Sequence, residues 1–331
     1  MSSKNRVISY SLAINEALHQ MMAQDNSVFI IGQGIKSPWY VGNTARGLFK
    51  RFGPERVIDT PVSENAITGA AVGAAIAGMR PIVVHPRMDF MLYAFDPIIN
   101  QAANWYCMSG GKSSVPVVIW GIINRGGEQA AQHSQALHAI FAHIPGLKVV
   151  MPSTPYDAKG LMIAAIKDNN PVVFIDDRWL YNLEGEVPRQ RYYIPIGKGV
   201  IRKKGKDITI AAISYMAAQA VKAAQYLKAD GIDAEVIDLR SVKPLDKELL
   251  FSSVKKTSRL LIADVGWKTG GFSAEIAALI SENCSKFLKA PIKRVALPDC
   301  PAPASRTLEK PYYPDYLDIV NVVKEVIRKD G

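Results

Sequence analysis

Residues 57–78 read VIDTPVSENAITGAAVGAAIAG: a short apolar run, a turn, and then a helix built almost entirely of small residues. Gly69, Gly73 and Gly78 each lower helix propensity by about 1 kcal/mol relative to alanine. A helix that keeps such residues is expected to let another backbone or a ligand approach closely. Glu64 stands at the start of this helix, where the helix dipole favours an acid. The segment therefore predicts a strand, a turn and a closely approached helix that begins near Glu64.

Strand-like apolar segments alternate with helical segments on both sides of this stretch. The predicted strands are 28–31, 82–84, 115–120, 149–151 and 172–175, and the predicted helices are 11–23, 66–79, 94–107, 134–142 and 155–167. Alternation of this kind is typical of a parallel sheet covered by helices on both faces. The sequence therefore predicts an α/β fold.

A second strand and helix series begins after a segment rich in glycine, proline and charge, residues 184–206. A chain of 331 residues also exceeds the size at which one core usually keeps growing. We therefore expect two doubly wound domains, residues 1–190 and residues 191–331.

Composition narrows the functional classes. The formal charge is +10, but the only dense basic run, residues 202–206, has no interleaved aromatic residues, so we interpret it as a solvated hairpin and expect no nucleic-acid partner. The longest apolar run, residues 66–79, is too short to cross a bilayer, so we expect no membrane insertion. The three cysteines lack the spacing of a disulfide scaffold or a zinc site, which favours a cytoplasmic location.

The spacing of Glu64, Gly69 and Gly73 resembles the cofactor-activating segment of thiamine diphosphate enzymes. Further ordered blocks resemble the β subunits of the 2-oxo acid dehydrogenases that act on pyruvate, branched-chain oxo acids and acetoin. These blocks cover nearly the whole chain: 89–90, 132–135, 145–150, 157–161, 168–171, 235–240 and 270–271. Several blocks in one order are much more specific than any one of them.

The resemblance implies a fold and an activity. The N-terminal domain is expected to be a transketolase-like, parallel-sheet domain that binds the pyrimidine ring of thiamine diphosphate, and the smaller C-terminal domain to be of transketolase type. The implied function is a β subunit of a 2-oxo acid dehydrogenase. Such an enzyme oxidatively decarboxylates a pyruvate-like 2-oxo acid and transfers the acyl group to a lipoyl group.

The resemblance also assigns roles to three residues. Glu64 is expected to share a proton with the far ring nitrogen of the cofactor pyrimidine, and so to be both catalytic and cofactor-binding. Phe90 is expected to offer an aromatic face beside the pyrimidine, although plain core packing also accounts for a phenylalanine there. His133 follows a glycine-rich turn and titrates near neutrality, which suits donation to an oxyanion or an acyl-transfer step.

A second set of positions matches a structural potassium site in relatives. These positions are Asp168 and Asn170, with the backbone carbonyls of Val117, Ala165 and Ile166. Oxygen ligands suit a hard cation. The same Asp-Asn-Asn-Pro sequence equally suits the turn after a helix, which needs no ion.

The chain lacks half of the expected site. Thiamine enzymes hold magnesium and the diphosphate through a Gly-Asp-Gly element, and no Gly-Asp-Gly occurs in the sequence. In the resembled family an α subunit supplies that half, so the implied assembly is a heterotetramer of two α and two β subunits, with β–β self-association. A lipoyl acyltransferase is a further implied partner.

Three positions depart from the family pattern and leave alternatives open. Gln33 and Trp120 replace an acid and an arginine that are common in relatives, and His85 lies where an acidic residue is common. A transketolase-like transfer of two carbons to an aldehyde or sugar, without lipoyl, is one alternative. A non-catalytic scaffold subunit is another, and a nicotinamide dehydrogenase is the weakest, because Ser37 stands where the third glycine of its motif belongs.

Overall fold

The computed structural model describes residues 6–127 and 129–328, in two compact units. The N-terminal unit runs to Arg125 and also contains His133–Gln135 and Ile140–Ile196. The C-terminal unit begins its continuous part at Gly197 and also contains residues 126–127, 129–132 and Ala136–Ala139. No helix in the described residues has the length and apolarity needed to cross a bilayer.

Strands and helices alternate through the N-terminal half of the chain, as the sequence predicts. The strands are β1 (Arg6–Ser9), β2 (Val28–Gln33), β3 (Val57–Thr60), β4 (Arg80–His85), β5 (Val118–Ile123), β6 (Lys148–Val150), β7 (Val172–Asp177) and β8 (Glu184–Val187). The helices are α1 (Tyr10–Gln24), α2 (Pro38–Val41), α3 (Leu48–Phe52), α4 (Glu64–Ile76), α5 (Ala103–Met108), α6 (His138–His143) and α7 (Pro155–Lys167). A 3-10 segment, Met88–Ala94, and a π-helical segment, Asp96–Ala102, precede α5.

The main sheet of the N-terminal unit is parallel, with the strand order β6-β7-β5-β4-β2-β3. Every residue of β5 and β7 is buried, which is typical of parallel strands covered by helices on both faces. β1 pairs with β8 in a separate antiparallel ribbon. The predicted α/β fold with a parallel N-terminal sheet is confirmed.

The C-terminal unit contains a second sheet. Its elements are β9 (Val200–Lys203), β10 (Ile208–Ala212), α8 (Tyr215–Ala229), β11 (Ala234–Asp238), β12 (Ser241–Lys243), α9 (Lys247–Thr257), β13 (Leu260–Trp267), α10 (Phe272–Cys284), β14 (Lys293–Leu297), α11 (Arg306–Tyr312) and α12 (Tyr316–Arg328). The sheet order is β14-β13-β10-β11-β9, and all pairs are parallel except that of β9 with β11.

The basic run is less solvated than the sequence suggests. Residues 200–203 form edge strand β9, and Arg202 pairs with Asp238 at 2.8 Å while Lys203 pairs with Asp233 at 3.0 Å. These acids belong to β11 or to the turn before it, about thirty residues further along the chain. Strand pairing therefore brings together opposite charges that a local reading of the run cannot relate.

Asp176, on β7, is a fully buried carboxyl in the N-terminal unit. Neither carboxyl oxygen of Asp176 has a partner that meets the distance and angle of a hydrogen bond. Its pKa is lowered by the nearby Trp120 indole, Tyr181 hydroxyl and Arg178, and is raised by Asp177. Burial raises the pKa of Asp176 to about 7, and Trp120, Tyr181 and Arg178 offset only part of this rise. Trp120 is itself fully buried and contacts Phe174 edge to face, at 6.3 Å between ring centroids. Trp120 thus places an indole ring beside a buried acid.

Gly146, in the turn before β6, has a φ of +87°, and a Cβ there would lie 2.0 Å from the carbonyl oxygen of Ala103. Gly53 has a similar φ of +77°, but a Cβ there would meet nothing within 4 Å. A side chain at Gly53 would therefore add backbone strain alone, whereas a side chain at Gly146 would add both strain and steric overlap.

Asp176→Asn is expected to stabilise the protein more at pH 8 than at pH 5. An aspartate with a raised folded-state pKa holds its proton in the native state, so stability falls as the pH rises from about 4, the unfolded value, to about 7. Removing the charge abolishes a penalty of at most about 4 kcal/mol above pH 7. Thermal unfolding midpoints at the two pH values measure this gain. The exposed Asp299→Asn is the control, and an equal gain at both pH values would contradict the assignment.

Gly146→Ala is expected to lower the free energy of unfolding by about 3 kcal/mol or more, because left-handed strain of about 1–2 kcal/mol adds to the clash with the Ala103 carbonyl. Gly53→Ala should cost only the strain. Urea unfolding of both variants measures the difference, and similar losses would show that the turn at Gly146 relaxes freely.

Candidate functional site

Polar side chains collect at the carboxyl edge of the N-terminal sheet. β2, β3 and β4 end at Gln33, Thr60 and His85, and parallel pairing sets Gln33 opposite Thr60. Ligand sites in open α/β sheets lie at this edge. The sequence-predicted Glu64 follows β3 after a three-residue turn and so belongs to the same edge.

Several buried polar atoms near this edge have no hydrogen-bond partner in the part of the chain that the structure describes. They are Gln33 Oε1, Thr60 Oγ1, His85 Nδ1, Asp89 Oδ2 and Ser134 Oγ. Buried polar atoms in folded proteins are nearly always hydrogen-bonded. The concentration of unpaired atoms here indicates a place where a ligand or ordered water completes the hydrogen bonding.

Glu64 is the first residue of α4 and is 8% exposed. Its carboxylate makes no ion pair or hydrogen bond with any residue that the structure describes. Neither oxygen is among the fully buried unpaired atoms, so the carboxylate keeps contact with solvent, and the positive end of the helix dipole favours its charge by about 0.3–1 kcal/mol. The arrangement suits a carboxylate whose hydrogen-bond partner comes from outside the chain.

The two faces of α4 differ. Ile67, Thr68, Ala71 and Val72 are buried, whereas Gly69 and Gly73 are exposed, and a Cβ at either glycine would meet nothing within 4 Å. The close approach that the sequence predicts at these glycines is therefore not made by the described residues of this chain.

Thr68 and His85 form a contact that the sequence analysis missed. Thr68 lies one helical turn after Glu64, and its hydroxyl is 3.2 Å from His85 Nε2. Both residues are buried, and burial lowers the pKa of His85 to about 4, so the ring is neutral at physiological pH. An apolar strand that ends in histidine is the only local signal for this group.

The structure brings Phe90 and His133 together, as edge-to-face rings with centroids 5.4 Å apart. The neighbouring Asp89 accepts a hydrogen bond from the backbone N–H of Gln135 at 3.1 Å, which fixes the His133 loop against the Phe90 segment. Burial raises the pKa of Asp89 to about 6. Burial, and secondarily the charge of Arg87, lower the pKa of His133, so the ring is mostly neutral at pH 7 and keeps one N–H to donate.

The proposed potassium ligands lie around the end of α7, and other cations already contact them. Lys148 Nζ is 2.5 Å from Asp168 Oδ2, and the backbone N–H of Asn170 donates to Asp168 Oδ1. Arg80 donates to the carbonyls of Ile166 and Asp168, both at 3.0 Å. The carbonyls of Val117 and Ala165 accept backbone hydrogen bonds from Val172 and Asp168. Each of these oxygens keeps a further lone pair, so an ion here would share the Asp168 carboxylate and the backbone carbonyls with the donors already present.

Both halves of the chain match family models. Residues 6–184 match the transketolase pyrimidine-binding domain, and residues 197–319 match the transketolase C-terminal domain. A solved split-gene transketolase, described as an inactive β4 tetramer, aligns with a TM-score of 0.80 at 24% identity, over 98% of this chain and 99% of that one. At that identity the likeness concerns the fold.

Curated relatives match along nearly their full length. The chain is 43% identical to the Bacillus subtilis acetoin:2,6-dichlorophenolindophenol oxidoreductase subunit beta, over 97% of this chain and 98% of the relative. It is 42% identical to the Rickettsia conorii pyruvate dehydrogenase E1 component subunit beta, over 95% and 96%. It is 45% identical to the Bacillus subtilis 2-oxoisovalerate dehydrogenase subunit beta, over 92% and 94%. The chain therefore belongs to the transketolase-like family of β subunits that includes those of pyruvate, acetoin and 2-oxoisovalerate dehydrogenases.

Proposed function

We propose that this chain is the β subunit of a thiamine diphosphate-dependent dehydrogenase that oxidatively decarboxylates a pyruvate-like 2-oxo acid and passes the acyl group to a lipoyl group. The single observation that carries the proposal is Glu64, a largely buried residue at the carboxyl edge of the sheet whose carboxylate stays open and has no partner among the described residues. Family membership indicates the reaction class, and the carboxyl edge of the N-terminal sheet is where the reaction would take place.

The residues at this edge fit the thiamine ring. Thiamine diphosphate, when bound, supplies the nucleophilic carbon that attacks the 2-oxo group. Glu64 would hold a proton against the far nitrogen of the pyrimidine, a role open to a carboxylate that has no partner among the described residues of this chain. Phe90 would offer its ring beside the pyrimidine, since it is only half-buried and already positioned by His133. His133 would donate its N–H to an oxyanion or an acyl-transfer step.

The unmet half of the site belongs to a partner chain in this proposal. The sequence has no Gly-Asp-Gly element, so magnesium and the diphosphate would be held by an α subunit, in a cytoplasmic heterotetramer of two α and two β subunits. The open face of α4 at Gly69 and Gly73 supports contact with another subunit, either α or a second β. A lipoyl acyltransferase would then receive the acyl group.

A structural potassium ion, if bound, would use Asp168 and Asn170 together with the backbone carbonyls of Val117, Ala165 and Ile166. Lys148 and Arg80 already bring positive charge to this turn. The ion would therefore add coordination to the carbonyls and is not needed to neutralise Asp168.

Glu64→Gln, in complex with the α subunit, is expected to lower kcat by about 100- to 10,000-fold, because an amide cannot share the proton in the same way. Glu184→Gln, which changes an exposed acid, is the control. Steady-state assays with pyruvate, 2-oxoisovalerate and acetoin, read with an artificial electron acceptor, measure the effect, and circular dichroism checks the fold. Wild-type turnover by a cofactor-loaded Glu64→Gln complex would end the assignment. Transfer of two carbons to an aldehyde without electron transfer would favour the transketolase-like alternative.

The acid limb of the kcat/KM profile is expected below pH 6.5, because burial and the charge of Arg87 both lower the pKa of His133. The neutral form, present above this pKa, is taken as the active one, so the rate rises with pH through the limb. His133→Asn should lower the rate by about 100-fold and remove the limb. His143→Asn, an exposed histidine ten residues on, should leave the profile unchanged. A limb that persists in His133→Asn would assign it to another group.

A further inference from the structure

An open groove of about 900 Å³ lies in the N-terminal unit, apart from the residues described so far. It is lined by the last turns of α1 and α7, by α3, and by the segment that follows β8. The lining residues include His19, Arg51, Lys167, Arg191, Tyr192 and Tyr193. Its volume lies at the upper end of the range for small-molecule sites, about 300–1,000 Å³.

The groove lies at the amino edge of the sheet. α1 ends at Gln24 shortly before β2 begins at Val28, and α7 ends at Lys167 shortly before β7 begins at Val172. Helix ends that lead into parallel strands lie at the amino ends of those strands. Glu64 and His133 belong to the carboxyl edge, so a ligand in the groove cannot be the substrate of that site.

The groove carries a concentrated positive charge. Its lining contains Arg51, Lys167 and Arg191 but no aspartate or glutamate, and none of the three cations pairs with a carboxylate within residues 6–127 and 129–328. The C-terminal ends of α1 and α7 contribute about half a negative charge each. The three positive side chains and the two helix ends together leave the groove with a net charge of about +2. Such a concave positive site raises the local concentration of anions.

Two features indicate more than diffuse charge. Arg51 donates to His19 Nδ1 at 3.3 Å, and His19 Nε2 lies 3.0 Å from the Arg46 carbonyl, which can only accept, so the ring orients the guanidinium. Tyr193 is 65% exposed, and Lys167 Nζ lies 5.9 Å from its ring centroid. An exposed aromatic face next to cations can stack a planar base while the cations hold phosphates.

We propose that this groove binds a nucleoside polyphosphate, with the base on Tyr193 and the phosphates among Arg51, Lys167 and Arg191. The neighbouring Tyr192 stacks on Tyr156 with 4.5 Å between centroids and donates its hydroxyl to the Tyr156 carbonyl, so two contacts hold the Tyr192 ring in place. A concave groove of this size favours a small molecule over a peptide, and the exposed ring favours a nucleotide over inorganic phosphate.

Calorimetric titration of the full-length chain with ATP, adenosine and tripolyphosphate, at about 0.1 M salt, tests the proposal. The double variant Lys167→Gln, Arg191→Gln is expected to raise the Kd for ATP at least tenfold. Tyr193→Ala should weaken ATP and leave tripolyphosphate unchanged. Lys204→Gln, Lys206→Gln removes two exposed cations from the C-terminal unit and is the matched control. The substituted side chains are exposed, so the variants should fold, and thermal midpoints check this.

Three results would overturn the proposal: no saturable binding of ATP by the wild-type chain, an equal loss of affinity in the control variant, or tripolyphosphate that binds as tightly as ATP. A Glu64→Gln chain that binds ATP like the wild type supports a site separate from the catalytic edge. The titration needs no catalytic turnover, so its failure leaves the dehydrogenase assignment intact, and a failed dehydrogenase assay leaves the groove intact.

Discussion

Parallel pairing of β3 with β2 is the constraint on which the site depends. The register sets Gln33 opposite Thr60 and delivers the turn before α4 to the carboxyl edge, so Glu64 starts its helix beside the ends of β2 and β4. A shift of one residue would reverse the face that every side chain of β3 presents. The position of one carboxylate thus follows from hydrogen bonds between backbones that are far apart in sequence.

Burial then decides what the edge can do chemically. His85 is neutral because its ring is buried, and the pKa values of Asp89 and Asp176 rise to about 6 and about 7 for the same reason. Groups of the same type in water would be charged or would titrate elsewhere. The sheet therefore tunes the protonation of its own carboxyl edge, and Trp120 next to Asp176 offsets only part of the effect of burial.

The parts that the sequence predicts are those with local signals. Alternating apolar segments predict the parallel sheet, and the Glu64 helix start agrees with the observed α4. The contact of Phe90 with His133 and the bond from Gln135 to Asp89 span more than forty residues, so no local pattern can reveal them. The pairing of Arg202 with Asp238 was missed for the same reason, and the groove near Tyr193 combines four segments that have no common motif.

The two faces of α4 have different packing constraints. Its inner residues contribute to the stability of this chain, because they pack in its own core. A Cβ at either outer glycine would meet nothing within 4 Å, so alanine there would fit the isolated chain and favour its helix by about 1 kcal/mol. The isolated chain therefore gives no packing reason for glycine at these two positions, and a subunit packed against this face would supply one.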